Sequence, residues 1–428
     1  MSPTIPQPIP VGAIPTTGPT VLAFSGGLDT SFCVPYLRES TGGAVHTVTV
    51  NTGGFTVTDL AAVEARAHAL GAATHTTVDA RSDLFETVLG YLVKGNVLRG
   101  GVYPLCVGPE RVVQASVLVT EAARIGATTL AHGSTGAGND QVRFDTALRL
   151  LAETRLSSRG AGPVRILAPI RALNLSREAS AAYLAERGVE VSAETTAYSV
   201  NRGLWGTTIG GRETHQTDGI LPESAWPDTV SPADAPDTPL RIQIGFEAGV
   251  PVSLDGDVMP PVALIERLAA LGAAHGAGRG VHVGDTILGI KGRVAFEAPA
   301  ALTLIACHRE LEKLVLTRNQ LVQKEPLADT YGRLVHEGQF FDPALRDIEA
   351  LLDSSQRRVT GTATAEFFKG ALRVLGATSP FSLFDAGVAR YGEGASLWSG
   401  RDAEGFTTIH GVQALLAARA ARGMGERG

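Results

Sequence analysis

The sequence predicts an α/β protein: a doubly wound parallel sheet, then a mixed α+β domain, then a terminal helix. Three observations carry this. Residues 20–190 alternate short apolar runs with stretches of helical periodicity, the pattern of βαβ units. From about Thr195 that alternation gives way to paired strand signals and long helices. Residues 21–31, VLAFSGGLDTS, join an apolar strand to a Gly-Gly turn and then to a helix start.

The elements follow in order. After the first strand a helix is expected over residues 32–39, with Pro35 inside it removing one backbone bond. Residues 44–50 form the next strand, closed by Gly53 and Gly54. Leu60, Val63, Ala67 and Leu70 recur at helical spacing, and Gly71 supplies a stop. A strand over 74–78, a helix over 84–93, a long helix over 110–125 ending at Gly126 and a strand over 128–132 come next. Residues 164–168 are an apolar strand before a helix that Ser176 caps and Gly188 ends. In the second part, residues 216–238, rich in Pro and Asp, form a surface excursion. Residues 241–246 and 250–254 pair as strands, with Asp255-Gly256 as a turn. Helices over 262–271 and 300–316 and a strand over 358–364 follow, and Val412, Leu415 and Leu416 make a helical stripe near the end.

With 428 residues the chain can bury a large core and should divide into at least two domains. Hydrophobic content of 44% and charged content of 19% are those of a folded globular protein. A net charge of −6 argues against a nucleic-acid surface. Cys33, Cys106 and Cys307 form no CxxC pair, so neither a disulfide framework nor a thiolate zinc site is suggested. The first eighteen residues, rich in proline, lack a basic start and a long apolar run; they are expected to be a disordered leader, not a signal peptide. No apolar run reaches membrane-spanning length, and a cytoplasmic location is expected.

Two loops carry the chemistry. Gly26 and Gly27 allow the backbone to approach an anion, and the free N–H groups of the following helix point at it. Ser25, Thr30 and Ser31 add hydroxyl donors. The string is neither GxxxxGK[ST] nor GxGxxG, and an ordinary well-capped turn is the plain alternative. The second loop, residues 132–145, reads HGSTGAGNDQVRFD and follows the strand over 128–132. Asn139 or Asp140 could cap the helix that begins near Gln141. Both loops fall at carboxyl ends of parallel strands, where such sheets bind ligands.

SGGLDTS resembles the pyrophosphate loop of ATP pyrophosphatases that release AMP and pyrophosphate. With Ala23 and Phe24 before it, and with HGSTGAGNDQVRFD, the chain is most similar to the argininosuccinate synthase family, which condenses citrulline with aspartate at the expense of ATP. The likeness spans roughly residues 21–409. It implies a nucleotide-binding domain over 19–190, a synthetase and multimerisation domain over 191–405, and an oligomerisation helix over 406–428 in a homotetramer.

The resemblance also implies roles. Ala23, Phe24, Ser25, Gly26, Gly27, Leu28, Asp29, Thr30 and Ser31 would hold the triphosphate of ATP, with Mg²⁺ assisting. Val50 would lie near the adenine, and Gly133 would cover the nucleotide. Thr135, Asn139 and Asp140 would bind aspartate; Tyr103, Asn139, Arg143, Ser199, Thr208 and Phe296 would contact citrulline. Asp29, Asp140 and Arg143 would serve the reaction, with Asp140 orienting the aspartate amine and helping to take its proton. The plain alternative for Arg143 is pairing with an acidic residue on its own helix face.

The chain also departs from that family's pattern. Val107 and Gly108 stand where the family has Thr and Ser, so two hydroxyls are gone. Gly284, Asp285 and Thr286 replace Glu-Asn-Arg, Phe296 replaces a tyrosine, and Val50-Asn51 replaces Ala-Asp. A lost charged hydrogen bond is worth about 1.5–3 kcal/mol, or roughly tenfold to more than a hundredfold in affinity. Two readings follow: the substrate is an α-N-acylated citrulline, or Asp285 takes over from the missing glutamate beside free citrulline. A tRNA-adenylating enzyme is a rival from another class, but it would be expected to show basic patches or paired cysteines. A catalytically inactive regulator is the non-enzyme rival.

Overall fold

The computed structural model describes residues 18–156, 163–189, 198–385, 387–388 and 396–423. The expected leader, up to residue 17, and the last five residues lie outside these. Described residues up to Phe381 form one unit, and those from Ser382 onward a second.

The first half builds a parallel sheet. β1 (Thr20–Ala23) leads to α1 (Leu28–Thr41), β2 (Val45–Asn51), α2 (Val57–Ala69) and β3 (Thr74–Asp79). Then come α3 (Arg81–Leu84), α4 (Gly90–Gly95), α5 (Glu110–Ile125), β4 (Thr129–Ala131), α6 (Asp140–Arg155), β5 (Arg165–Leu167), α7 (Pro169–Leu173) and α8 (Arg177–Ala185). The strands run parallel in the order β3-β2-β1-β4-β5. Because successive strand residues face opposite sides, Val21 and Leu130 join one apolar cluster with α5 and α6, while Leu22 and Ala131 join another with α1, α2 and α8. Both faces are covered, as a doubly wound sheet requires. Phe32 is buried between Tyr36 and Tyr183, with ring centroids 5.2 and 4.6 Å away, a burial worth about 1.5–3 kcal/mol.

Local signals set the boundaries. The α2 start carries a capping box between Thr56 and Asp59, Ser176 accepts from the Ala179 N–H at 3.2 Å, and Gly126 ends α5 at φ 70. The expected helix over 84–93 is interrupted: a π-helical turn, Phe85–Leu89, separates α3 from α4.

The second half is antiparallel. β6 (Ser199–Gly203), β7 (Gly206–Gly210), β8 (Leu240–Glu247), β9 (Val250–Leu254) and β10 (Asp257–Val258) precede α9 (Pro261–Ala274). Next are β11 (Arg279–Asp285), β12 (Lys291–Glu297), α10 (Pro299–Val315), α11 (Arg318–His336), α12 (Pro343–Gln356), β13 (Gly361–Phe368) and β14 (Ala371–Thr378). They form two sheets, β10-β9-β8-β13-β14 and β11-β12-β7-β6. Asp255-Gly256 turns between β9 and β10 with both φ values positive. The β6–β7 hairpin tip plugs against the first sheet: Leu204 N–H donates to the Thr52 carbonyl at 2.7 Å, and buried Trp205 donates to the Pro104 carbonyl at 2.8 Å. In the second unit, α13 (Gly400–His410) and α14 (Val412–Gly423) leave Phe406, Ile409, Leu415 and Leu416 exposed.

One buried ion pair lies far from the strand tips. Lys324 and Glu312, 1% and 2% exposed, meet at 2.8 Å, and Glu312 also accepts from the amides of Asn96 and Gln356. Removing Glu312 alone strands a buried cation. Glu312→Leu should therefore destabilise the protein by about 3–5 kcal/mol in chemical denaturation, while Glu312→Leu with Lys324→Met recovers most of that loss.

Candidate active site

The first loop sits between the tip of β1 and the start of α1. Gly26 has φ 73, and a Cβ there would meet Val63 Cγ2 at 2.9 Å. Gly27 is the extended residue before α1 and offers no side-chain cap, so the first N–H groups of this fourteen-residue helix are left for a ligand. Hydroxyls brace the turn: Ser25 Oγ and Thr30 Oγ1 lie 3.2 Å apart, and Thr30 Oγ1 donates to the Gly27 carbonyl at 3.3 Å. Arg66 holds the Gly26 carbonyl at 2.7 Å, turning that oxygen towards a cation. Burial pushes the Asp29 carboxyl up, while Arg177 pulls the other way. The Thr30 and Ser31 hydroxyls are turned to the Gly27 and Gly26 carbonyls, which leaves the Asp29 carboxylate as the side chain of this loop suited to a hydrated cation. Among the described residues no group of three or more His, Cys, Asp or Glu could hold a metal.

The second loop presses on the first. A Cβ on Gly133 would stand 2.9 Å from Thr30 Cγ2, 3.2 Å from the Thr30 nitrogen and 3.3 Å from the Asp29 carbonyl carbon. Glycine at 133 is thus what lets the two strand tips touch. His132 stiffens the loop base: Nδ1 accepts from the Ser134 N–H at 3.3 Å, so Nε2 donates to Asp145 at 2.9 Å. Burial opposes ionisation of Asp145, but hydrogen bonds from His132 and Arg171 bring it down to about 2. Gln141 reaches back to the Gly136 carbonyl. Thr135 is exposed at the loop's outer edge.

A chain of polar and charged groups runs behind the loops. Thr52 donates to Glu110 Oε2 at 2.9 Å, Arg111 pairs with Glu110 at 3.4 Å and with Asp140 at 2.9 Å, and Arg143 closes on Asp140 at 2.9 Å. Arg143 also donates through Nε to the His336 carbonyl at 2.8 Å, at the last residue of α11. The Asp140–Arg143 contact is the plain same-helix pairing, three residues apart on α6. Burial disfavours the Asp140 anion, yet the two guanidinium groups outweigh it and hold the carboxyl well below the usual carboxylate range. So stable an anion is a poor proton acceptor, which weighs against the expectation that Asp140 helps to take the amine's proton. Its remaining role is to accept hydrogen bonds. Asn139 does not cap α6; its Oδ1 accepts from the Ile287 N–H at 2.8 Å, tying the loop to the β11–β12 hairpin.

The residues expected at citrulline fall mostly on one wall. Tyr103 stacks on His282 at 5.6 Å and tilts against buried Phe296 at 5.3 Å, and Phe296 faces Thr208 across β12 and β7. Ser199 is exposed at the start of edge strand β6. Val50 is buried near the tip of β2, where Asn51 Oδ1 accepts from the Gly53 N–H at 2.9 Å. Asp285 does not turn inward to replace the missing glutamate; it is exposed and paired with Lys291 at 2.7 Å. Sequence reasoning missed Arg99, Glu110, Arg111, His282 and His336. The adjacent Glu110-Arg111 pair, set before two valines at the start of α5, was the one available signal.

A parallel sheet with glycine loops at two adjacent strand tips, one of them feeding a helix start, defines an enzyme of the nucleotide-binding α/β class. The family model described as the arginosuccinate synthase N-terminal HUP domain matches residues 19–190, and the corresponding C-terminal domain model matches 198–417. An argininosuccinate synthase of Methanocaldococcus jannaschii is 36% identical, covering 92% of this chain and 97% of its own length. Those of Xanthomonas campestris pv. campestris and Hyperthermus butylicus are each 39% identical, covering 94% of this chain and 98% of their own lengths. The chain belongs to the argininosuccinate synthase family of carbon–nitrogen ligases.

Glu110 gives a pH signature. Burial pushes its carboxyl up to about 8, with Arg111 and Thr52 pulling the other way, and its Oε1 has no hydrogen-bond partner. The native protein keeps a proton that the unfolded chain releases near about pH 4.3. Stability is therefore full below that value and is lost as pH rises towards about 8. Thermal unfolding across this range should show wild type falling steadily behind Glu110→Gln, which cannot ionise.

Proposed function

We infer that the chain joins citrulline to aspartate with ATP, giving argininosuccinate, AMP and pyrophosphate. The observation that carries this reading is the contact of Gly133 with Asp29 and Thr30, which sets two amide-lined strand tips side by side, with Asp140 held between two arginines at the start of α6. The ureido oxygen of citrulline attacks the α-phosphorus of ATP and pyrophosphate leaves; the aspartate amine then attacks the ureido carbon and AMP leaves. No protein nucleophile is needed, so the chain works by positioning and by stabilising charge.

The roles follow the residues. Residues 23–31 hold the triphosphate, Val50 lines the adenine, and Gly133 closes over the nucleotide. Asp29 would hold a magnesium ion that neutralises charge on the phosphates. Asp140, with Thr135 and Asn139, accepts from the aspartate ammonium, and Arg143, Asn139, Tyr103, Thr208, Ser199 and Phe296 receive citrulline. Full-length likeness to argininosuccinate synthases favours free citrulline over an N-acylated form and over a tRNA base. A cytoplasmic location fits the absence, among the described residues, of any helix long and apolar enough to cross a membrane. The exposed apolar residues of α13 and α14 support assembly, and a homotetramer is the proposed state.

The direct test supplies ATP, aspartate and citrulline and measures AMP and argininosuccinate; AMP formation that needs RNA instead would sink the proposal. Gly133→Val should abolish AMP formation while leaving the circular-dichroism spectrum unchanged, because a branched side chain drives the two tips apart. Asp140→Asn should lower kcat/KM for aspartate by about tenfold to a hundredfold. The same variant should leave any acid limb of the pH–rate profile in place between about pH 5 and 8, since Asp140 does not titrate there.

A further inference from the structure

Beside Arg143 lies a corner built from residues outside the roles assigned above. Arg99 and His282 meet over Gly284: a Cβ at that glycine would stand 2.5 Å from His282 Nε2 and 3.2 Å from Arg99 Nη1. His336 completes it. Its Nδ1 lies 3.1 Å from Arg143 Nη2, and a guanidinium can only donate, so this nitrogen accepts. The proton of the neutral ring is then on Nε2. That N–H, like His282 Nε2, is buried without a hydrogen-bond partner. The two imidazoles are 6% and 9% exposed, so water does not readily serve them. Arg99 Nη2 donates to the Asp285 carbonyl at 2.5 Å, and among the described residues Arg99 forms no ion pair.

The corner therefore offers a cation and N–H groups, and the Asp285 carbonyl, the acceptor beside them, is already engaged by Arg99. A substrate ammonium, which only donates, would face the like charge of Arg99 and the His336 N–H there. A carboxylate, which only accepts, would satisfy the guanidinium and the orphaned His336 N–H together. Tyr103, stacked on His282, places this corner on the wall assigned to the ureido substrate. We propose that Arg99, His336 and His282 bind the carboxylate of that substrate and are its specificity-determining residues. The proposal rests on the reaction inferred above.

The test compares three ureido compounds in wild type and in Arg99→Gln: citrulline, its decarboxylated form 4-ureidobutylamine, and its deaminated form 5-ureidopentanoate. AMP release by wild type with citrulline tests the reaction itself and so separates failure of that reading from failure of this one. In wild type, loss of the carboxylate should lower kcat/KM by about tenfold to a hundredfold, and loss of the amine by much less. Arg99→Gln should raise KM for citrulline by a similar factor, with the KM values for ATP and aspartate unchanged. It should no longer distinguish citrulline from the decarboxylated compound. His336→Phe should show the same pattern more weakly, and Arg99→Lys should recover part of the discrimination. Equal penalties for the missing carboxylate in wild type and variant would overturn the proposal, as would discrimination that tracks the amine.

Discussion

The close approach of two strand tips is the constraint on which the rest depends. Parallel strands deliver their carboxyl ends to one edge of a sheet, but they do not by themselves make a site there. Here β1 and β4 are neighbours, and the loop after β4 descends on the start of α1 until Gly133 rests on Asp29 and Thr30. No side chain fits in that gap. The first N–H groups of α1 then lie beside the second loop, an arrangement of fixed dipoles suited to the phosphate chain proposed above.

Behind those tips polar and charged groups are linked in series. Thr52, Glu110, Arg111, Asp140, Arg143 and His336 connect β2, α5, α6 and α11 by short contacts. Each link fixes the next, so Asp140 cannot rotate without losing two guanidinium partners. A carboxylate held this way is oriented before any ligand arrives, which removes part of the entropy cost of binding. The same clamp lowers its basicity. Orientation and basicity compete for one group, and the two arginines favour orientation.

Much of this was legible in the residues. The parallel sheet followed from alternating periodicities, and the start and end of α5 and the cap of α8 followed from Glu110, Gly126 and Ser176. Less was legible where an outcome depends on partners distant in sequence. The π-helical turn at Phe85–Leu89 has no local punctuation. Helices α11 and α12 were not anticipated, and Pro326 inside α11 disguises its periodicity. At the site, glycine and hydroxyl strings announced the loops because they act through local backbone geometry. Arg99, His282 and His336 stand on a loop, a strand and a helix end and acquire meaning only when the fold converges them.

That convergence bears on how a pocket changes polarity. Gly284 occupies a position where the family pattern has glutamate, but the space is not vacant: His282 and Arg99 already crowd the point where a side chain would begin. A glutamate there would either displace both heads or pair with Arg99 and quench the only unpaired cation of the corner. Gly108 is coupled in the same way, since a Cβ there would stand 3.2 Å from Arg143 Cζ. At Gly284 the volume of the absent side chain is thus taken up by Arg99 and His282, and at Gly108 by the Arg143 guanidinium that the family pattern also has. Isolated loss of a carboxylate would leave a hole beside buried donors, at a cost in both packing and hydrogen bonding. Joint replacement keeps the wall filled while reversing its sign, and the reversed sign selects which end of the substrate the wall can hold.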